Sequence, residues 1–201
     1  MRKFLFLAIA TFVLSIFIQG CSKSKTEHMK FMDISMGQTI DKFTDALKEK
    51  GFKYLTKEDG MTIMEGNFSG SPVQVAVLET SESKRVAICF VEFPTGNDKF
   101  EARNLYDRYG DLLDQQYAGY FTNKNSRYFQ DLMEKPDLSN MRSNPNAVMG
   151  DYMPYFASWN LPTGEIVMRV YNTSQFQLIY ADSINLENGK KEMANAINKD
   201  L

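Results

Sequence analysis

The sequence is poor in the residues on which most catalytic sites depend. Its 201 residues include one histidine, two cysteines and one tryptophan. A single histidine excludes every multi-histidine metal site, and His28 lies in a polar stretch near the N-terminus, where we expect solvent rather than a Ser-His-Asp or Cys-His arrangement. The sequence also has no calcium loop, no glycine-rich phosphate loop and no cluster of cysteine and histidine ligands. We therefore predict no metal, no cofactor and no enzyme activity.

An excess of either charge is also missing. The chain has 23 basic and 25 acidic residues, a net charge of −2. This balance excludes the basic stripe of a nucleic-acid-binding protein and the acidic composition of a disordered tail. Apolar residues make up 43% of the chain, which is enough for a packed core, and the length fits one domain.

The N-terminus shows the pattern of a secretory signal peptide. Met1, Arg2 and Lys3 form a cationic start, and the next fifteen residues, Phe4 to Ile18, carry no charge. This apolar run is shorter than the roughly 20 residues that a membrane-spanning helix needs. A small residue, Gly20, precedes the expected cleavage point, so residues 1–20 are predicted to be a signal peptide.

Ile18-Gln19-Gly20-Cys21 resembles a bacterial lipobox. The resemblance implies that the chain is cut before Cys21, that Cys21 carries diacylglycerol, and that the new amine receives a further acyl chain such as palmitate. Two or three acyl chains hold a protein firmly on a membrane, whereas one chain binds only marginally. The expected partner is therefore the membrane, reached through the N-terminal lipid.

The residues after Cys21 refine the expected location. In enteric bacteria an Asp after the lipidated Cys favours inner-membrane retention, so Ser22 implies the outer membrane. Surface-exported lipoproteins of Bacteroides-type bacteria often have acidic residues here, and this chain has none directly after Cys21, which favours the periplasmic face. Residues 21–31 are predicted to be a flexible tether, and residues 32–201 a single domain.

Periodicity along the mature chain predicts an α+β fold. Apolar spacing and capping residues predict three helices, and alternating or branched runs predict strands joined by short turns. We expect an antiparallel sheet of about six strands, arranged as two helix-plus-three-strand units with the helices on one face. The predicted helices are Thr39–Lys50, Asp98–Ala118 and Asn188–Lys199, and the predicted strands are Met61–Phe68, Val73–Val77, Arg85–Phe93, Tyr152–Trp159, Gly164–Tyr171 and Gln175–Asp182.

Several short motifs resemble those of uncharacterised Bacteroides-type envelope lipoproteins. They are Phe31-Met32-Asp33-Ile34-Ser35-Met36-Gly37, Lys50-Gly51-Phe52, Gly66-Asn67-Phe68, Val91-Glu92-Phe93 and Tyr180-Ala181-Asp182. The similarity covers most of the mature chain, but its motifs are structural and imply no activity. The plan of helices and antiparallel strands also resembles beta-lactamase-inhibitor-like proteins and small outer-membrane assembly lipoproteins at the level of fold.

An excess of aromatic residues suggests a recognition surface. Tyrosine, phenylalanine and tryptophan total 26 residues, and rings are enriched where proteins bind partners or glycans. The candidate surface is Tyr128, Tyr152, Tyr155, Phe156 and Trp159. The main hypothesis is a lipid-anchored envelope module that binds a protein partner or assists assembly. The alternative is glycan binding or processing by these rings with an acid such as Asp151.

Two further residues carry predictions of their own. Cys89 lies in the middle of a predicted strand and has no disulfide partner once Cys21 is lipidated, so we expect a buried, inert thiol. Asp182-Ser183-Ile184 resembles the Asp-(Ser/Thr)-apolar O-glycosylation site of exported Bacteroides proteins, which makes Ser183 a candidate for modification.

Overall fold

The computed structural model describes residues 27–58, 60–96, 98–124, 155–171 and 175–199. This part of the chain contains three helices and ten strands. The strands are β1 (Lys30–Phe31), β2 (Ile34–Ser35), β3 (Lys53–Glu58), β4 (Met61–Phe68), β5 (Ser71–Glu79), β6 (Val86–Glu92), β7 (Phe121–Lys124), β8 (Tyr155–Leu161), β9 (Gly164–Tyr171) and β10 (Gln175–Asp182). The helices are α1 (Ile40–Glu49), α2 (Lys99–Gln116) and α3 (Ser183–Lys199). The prediction of a mixed α+β fold is confirmed.

Eight of these strands form one antiparallel sheet in the order β3-β4-β5-β6-β10-β9-β8-β7. Each half of the sheet is a run of four consecutive strands, and β6 joins β10 in the middle through pairs such as Phe90 with Ile179. The prediction of about six strands was wrong because β3 and β7 gave weak signals. In β3 almost every side chain is exposed, so the strand lacks the apolar alternation that marks a half-buried strand.

The hairpin between β4 and β5 shows how local sequence sets the register. Phe68 pairs with Ser71, which leaves Ser69 and Gly70 as a two-residue loop, and both have positive φ angles, 48° and 81°. Two positive φ angles define a type I′ turn, whose twist matches that of the flanking strands. The turn therefore fixes which residues of β4 and β5 face each other.

The sheet carries helices on both faces, so the prediction of helices on one face was wrong. One face packs against α1 and α2 through a cluster that includes Val75, Cys89 and Leu178. The opposite face, which we call the α3 face, packs Ala76, Phe90 and Ile179 with Leu186 of α3, together with their neighbours in a second cluster. The reason is that α3 follows β10 directly instead of returning to the side of α1 and α2.

Aromatic side chains fill the larger core. The ring of Phe31 stacks on Phe68 at a centroid distance of 5.6 Å and meets the edge of Tyr180 at 5.1 Å. Farther along, Phe93 lies 5.0 Å from both Tyr109 and Phe176. Ring pairs in this distance range add about 0.5–1.5 kcal/mol each beyond the area they bury. Much of the aromatic excess is therefore structural.

Phe52 and Gly66 explain two of the motifs noted in the sequence. A Cβ atom placed on Gly66 would come within 2.5 Å of the Phe52 ring, so the ring lies directly on the glycine. Phe52 is buried although β3, which begins at the next residue, is exposed. The Lys-Gly-Phe and Gly-Xaa-Phe motifs thus meet in space, and Phe52 covers the bare backbone of β4.

Two buried tyrosines predict a decline in stability at alkaline pH. Burial raises the pKa of Tyr106 and of Tyr180 above the ordinary tyrosine value. Tyrosine side chains in the unfolded chain ionise at about pH 10, whereas the folded chain keeps these two phenols protonated at higher pH. The free energy of unfolding is therefore expected to decrease as the pH rises above about 10. We expect the urea midpoint to hold between pH 7 and 9 and to fall above about pH 10. The Tyr106→Phe variant should lose part of this fall, and an unchanged pH profile in that variant would contradict the assignment.

Candidate functional site

Trp159 was predicted to belong to an aromatic surface, but the structure places its side chain in the core. Trp159 pairs with Ile166 in the sheet, which turns its ring towards the core, and its side chain is 1% exposed. The indole Nε1 donates to Oδ1 of Asp114 on α2 at 3.0 Å. The prediction of Trp159 as a ligand-facing ring was wrong, because the register of β8 and not the local composition decides which face the ring occupies.

The other predicted ring positions are only partly covered by the structure. Tyr155 and Phe156 belong to β8, where they pair with Val170 and Arg169, but their side chains lie outside the described part. Tyr128 and Tyr152 lie outside the described residues, as does Asp151. The aromatic residues seen exposed in the described ranges lie elsewhere: Tyr54, Phe100, Tyr120 and Phe121.

Cys89 is a buried thiol, as predicted. It lies at the centre of β6 with no exposed surface, and burial, with a smaller contribution from the charge of Asp182, raises the pKa of its thiol well above the ordinary value. A protonated, inaccessible thiol is neither a nucleophile nor a metal ligand. Within the described residues, no group of three or more potential metal-ligating side chains comes together.

The N-terminal end of the described chain is fastened to α3 by Asp182. This carboxylate has no exposed surface. It accepts hydrogen bonds from the backbone N–H of Met29 at 2.7 Å and of Asn185 at 2.8 Å, and Nδ1 of His28 lies 3.2 Å from both of its oxygens. Asp182 is therefore the N-cap of α3 and at the same time the anchor for the incoming chain.

This junction corrects two expectations about the N-terminus. His28 is not a solvated spacer residue, since it contacts a buried carboxylate. The predicted tether of residues 21–31 is too long, because Met29 and Phe31 are buried and Lys30–Phe31 forms β1. The folded domain thus begins several residues closer to Cys21 than the sequence pattern indicated.

Asn185 strengthens the same junction from inside α3. It is fully buried, and its Nδ2 donates to the carbonyl oxygens of Met36 at 2.9 Å and Val86 at 2.8 Å. The segment before α1, the start of β6 and the start of α3 are therefore held by one amide. Ser183, the candidate glycosylation site, is the first residue of α3 and is half-buried. Its modification stays a prediction.

A polar cleft lies at the opposite end of the α3 face. Side chains two positions apart on a strand point to the same side of the sheet. The α3 face, which contains Ala76, Phe90 and Ile179, therefore continues along the same three strands with Gln74, Glu92 and Gln177. Pairing in the sheet extends this row, which we call the polar row: Lys53 faces Glu65, Glu65 faces Gln74, Gln74 faces Glu92, and Glu92 faces Gln177. Adjacent strands thus bring residues that are distant in sequence side by side.

The polar row has an open part and a buried part. Lys53, Glu65, Gln74 and Glu92 line a cleft of about 630 Å³, with Asn67 and Gln175 among the other walls. This volume falls in the range of small-molecule sites, about 300–1,000 Å³. The buried end is rigid, because Nε and Nη2 of Arg169 donate to Oε1 of Gln177 at 2.9 and 2.6 Å.

Gln175 carries an unusual polar atom at the wall of this cleft. Its side-chain oxygen, Oε1, is buried and has no hydrogen-bond partner among the residues that the structure describes. A buried acceptor without a donor costs about 1–3 kcal/mol. Sequence reasoning missed the cleft, since its residues come from five separate strands or strand ends.

The chain matches no protein-family model, no curated protein and no solved structure. Among the described helices, none combines the length and the apolar composition needed to cross a membrane.

Proposed function

We propose that this chain is a lipid-anchored envelope protein that works as a binding or assembly module and not as an enzyme. The observation that carries the proposal is the Ile18-Gln19-Gly20-Cys21 sequence at the end of an uncharged run. The cationic start and the length of the run support a signal peptide over a spanning helix. Ser22 favours the outer membrane, and the lack of acidic residues directly after Cys21 favours its periplasmic face. The motifs noted above favour membership of the uncharacterised Bacteroides-type envelope lipoproteins.

The junction at Asp182 limits the distance between the proposed lipid on Cys21 and the folded domain. Residues 22–26 separate Cys21 from the described domain, and a fully extended chain of that length reaches about 20 Å. A lipid on Cys21 would therefore hold the domain close to the bilayer. A protein held in this way can present its polar cleft to components of the envelope, which is what a binding module requires.

The strand order supports a further proposal about the origin of the fold. Each half of the chain runs from a helix into four consecutive antiparallel strands, α1 with β3–β6 and α2 with β7–β10. The antiparallel pairing of β6 with β10, the last strand of each half, is the arrangement that a two-fold rotation between the halves would require. We infer two copies of one helix-plus-four-strand unit, in place of the helix-plus-three-strand units expected from the sequence.

Glycan binding is the second candidate function, and the polar cleft is the observation that favours it. The carboxylates and amides of the polar row are side chains that accept hydrogen bonds from hydroxyl groups. The aromatic residue on which the glycan hypothesis first relied, Trp159, is buried. If the protein binds a glycan, the cleft replaces that ring as its site.

Lipid attachment at Cys21 is tested by metabolic labelling with an alkyne analogue of palmitate in the expressing bacterium. We expect the wild-type protein to carry the label and the Cys21→Ala variant to lose it completely, because Cys21 provides the attachment sulfur. Cys89→Ala is the matched control and should keep the label. A labelled Cys21→Ala variant, or a mature mass that lacks acyl chains, would overturn the anchoring half of the proposal.

A further inference from the structure

We propose that the C-terminal end of α3, residues 193–198, lies on the surface of a lipid bilayer and inserts the side chains of Met193 and Ile197 between the lipid headgroups. The inference rests on the proposed lipid anchor at Cys21 and adds a second membrane contact to it. Three features of α3 support it: an apolar stripe that is exposed at one end, a position at the anchored end of the domain, and a cationic surrounding.

The apolar stripe of α3 is buried at its start and exposed at its end. Leu186 packs in the core of the α3 face. Met193 and Ile197 follow Leu186 by about two and three helical turns, so the three side chains lie on one face of the helix. Met193 and Ile197 are nevertheless 53% and 57% exposed, and every residue from 193 to 198 is exposed. Most helical stability comes from packing of an apolar face, so a surface that covers this stripe would stabilise the end of α3.

α3 lies at the end of the domain where the anchored chain enters. Asp182 caps α3 and also accepts from the N–H of Met29, so the segment from Cys21 reaches the domain at the start of this helix. Glu192, farther along α3, accepts from the N–H of Glu82 at 2.8 Å, in the turn between β5 and β6. The antiparallel pairing of β5, β6 and β10 places this turn and Asp182 at the same end of the sheet. α3 therefore runs along the end of the sheet nearest the proposed lipid.

Short distances bring the exposed stripe within reach of the bilayer. A fully extended chain of residues 22–26 is about 20 Å long, so a lipid on Cys21 would hold the start of α3 within that distance of the headgroups. Met193 lies about 15 Å along the helix from its first residue. The polar cleft includes Gln175, about 23 Å from Asp182 along β10, so it lies at the far end of the sheet. Contact of α3 with the bilayer would therefore point the cleft away from the membrane.

The charged side chains of α3 suit a surface of lipid phosphates. Lys190 and Lys191 are exposed and lie within one turn of the exposed stripe. Of the two acids of α3, Glu187 lies nearer the start of the helix, and Glu192 is held by the turn between β5 and β6, so residues 193–198 contain no acid. Lysines beside an exposed apolar stripe are typical of helices that lie in the plane of a membrane interface. The tether and this charge favour the bilayer over a second protein as the surface that covers the stripe.

The test uses the mature lipidated protein, reconstituted in vesicles of phosphatidylethanolamine and phosphatidylglycerol. A nitrobenzoxadiazole fluorophore is attached at residue 197 of the Ile197→Cys variant and, as the matched control, at residue 100 of the Phe100→Cys variant. Phe100 is also exposed and apolar, but it lies in the first turn of α2, at the cleft end of the sheet, and Cys89 is buried and stays unlabelled. We expect lipids that carry a nitroxide near the headgroup to quench the fluorophore at residue 197 at least about threefold more than the one at residue 100.

Two further variants, each labelled at residue 197, separate insertion of the stripe from a general effect of charge. Met193→Glu and Asn195→Glu both add one negative charge, but Asn195 lies on the opposite side of the helix from the stripe. We expect Met193→Glu to lower the quenching by lipid at least about twofold and Asn195→Glu to leave most of it. Equal effects of the two substitutions would overturn insertion of the stripe.

The remaining outcomes distinguish this inference from the anchor itself. Equal quenching at residues 197 and 100, in a lipidated protein that floats with the vesicles, would overturn the second contact and leave the anchor at Cys21 intact. Self-quenching between fluorophores at residue 197, without quenching by lipid, would show that a second copy covers the stripe and would overturn the bilayer in that role. A protein that lacks acyl chains and does not float with the vesicles would overturn the anchor and this inference together.

Discussion

Replacing Asp182 by alanine is expected to lower the free energy of unfolding by about 3 kcal/mol, because one buried carboxylate accepts from two backbone N–H groups and also contacts His28. The variant removes the N-cap acceptor of the Asn185 N–H and leaves the N–H of Met29 without its partner. Both donors lie away from water, where an unpaired group is costly. Urea unfolding of wild-type and variant proteins at neutral pH measures the loss.

Asp98 provides a matched control for this prediction. It is the N-cap of α2 and accepts from the N–H groups of Phe100 and Glu101, at 2.8 and 3.1 Å, but it is exposed. Asp98→Ala should therefore cost only about 1 kcal/mol. Asp182→Asn should fall between the two, since one amide oxygen can replace one of the two carboxylate oxygens. Equal losses of unfolding free energy in the Asp98→Ala and Asp182→Ala variants would contradict the conclusion that Asp182 holds the N-terminal segment to α3.

The hydrogen bonds of Asp182 connect the stability of the domain with the proposed lipid anchor on Cys21. The proposed lipid on Cys21 would transmit any pull on the domain to the chain at His28 and Met29. Asp182 receives that segment, and Asn185 ties the same region to the carbonyl oxygens of Met36 and Val86. The N-terminal segment is thus attached to the start of α3 and to the two central strands of the sheet, β6 and β10, rather than to a fraying terminus.

The elements that the sequence predicted well have strong local signals. Asp98 caps its helix as expected, and the expected boundaries of β4, β9 and β10 agree with the structure. Local patterns suffice here because capping and alternation depend on neighbours in sequence. The start of α3 was missed by five residues because Asp182-Ser183 was interpreted as the end of a strand and a modification motif, although an aspartate before a helix is also a cap.

The polar cleft could not be predicted from the sequence for a different reason. Glu65, Gln74 and Glu92 each occupy an ordinary outward position of a strand, and nothing local distinguishes them from other polar residues. Their proximity depends on the register of β4, β5 and β6, which the turns and the core decide together. The same dependence explains Trp159, whose position opposite Ile166 places it in the core.

The second large effect is expected at Phe31, in the segment that the sequence pattern assigned to a flexible tether. Phe31 is fully buried and its ring contacts those of Phe43, Phe68 and Tyr180. Removing a buried phenylalanine ring costs about 3–5 kcal/mol, from lost transfer energy and the cavity left behind. Phe31→Ala should therefore shift the urea midpoint strongly, whereas Phe100→Ala, with a ring 67% exposed, should change stability by no more than about 0.5 kcal/mol.

Two truncations locate the boundary of the domain independently of any single ring. A chain that begins at Glu27 retains Met29, β1 and the hydrogen bond to Asp182, so it should unfold as one cooperative unit with a midpoint close to that of the mature protein. A chain that begins at Met32 lacks all three and should be unfolded or severely destabilised. Equal midpoints for the two chains, together with a small effect of Phe31→Ala, would show that the tether extends to residue 31 as first expected. The opposite result would place the start of the domain within a few residues of Cys21, where the proposed lipid would hold it close to a membrane.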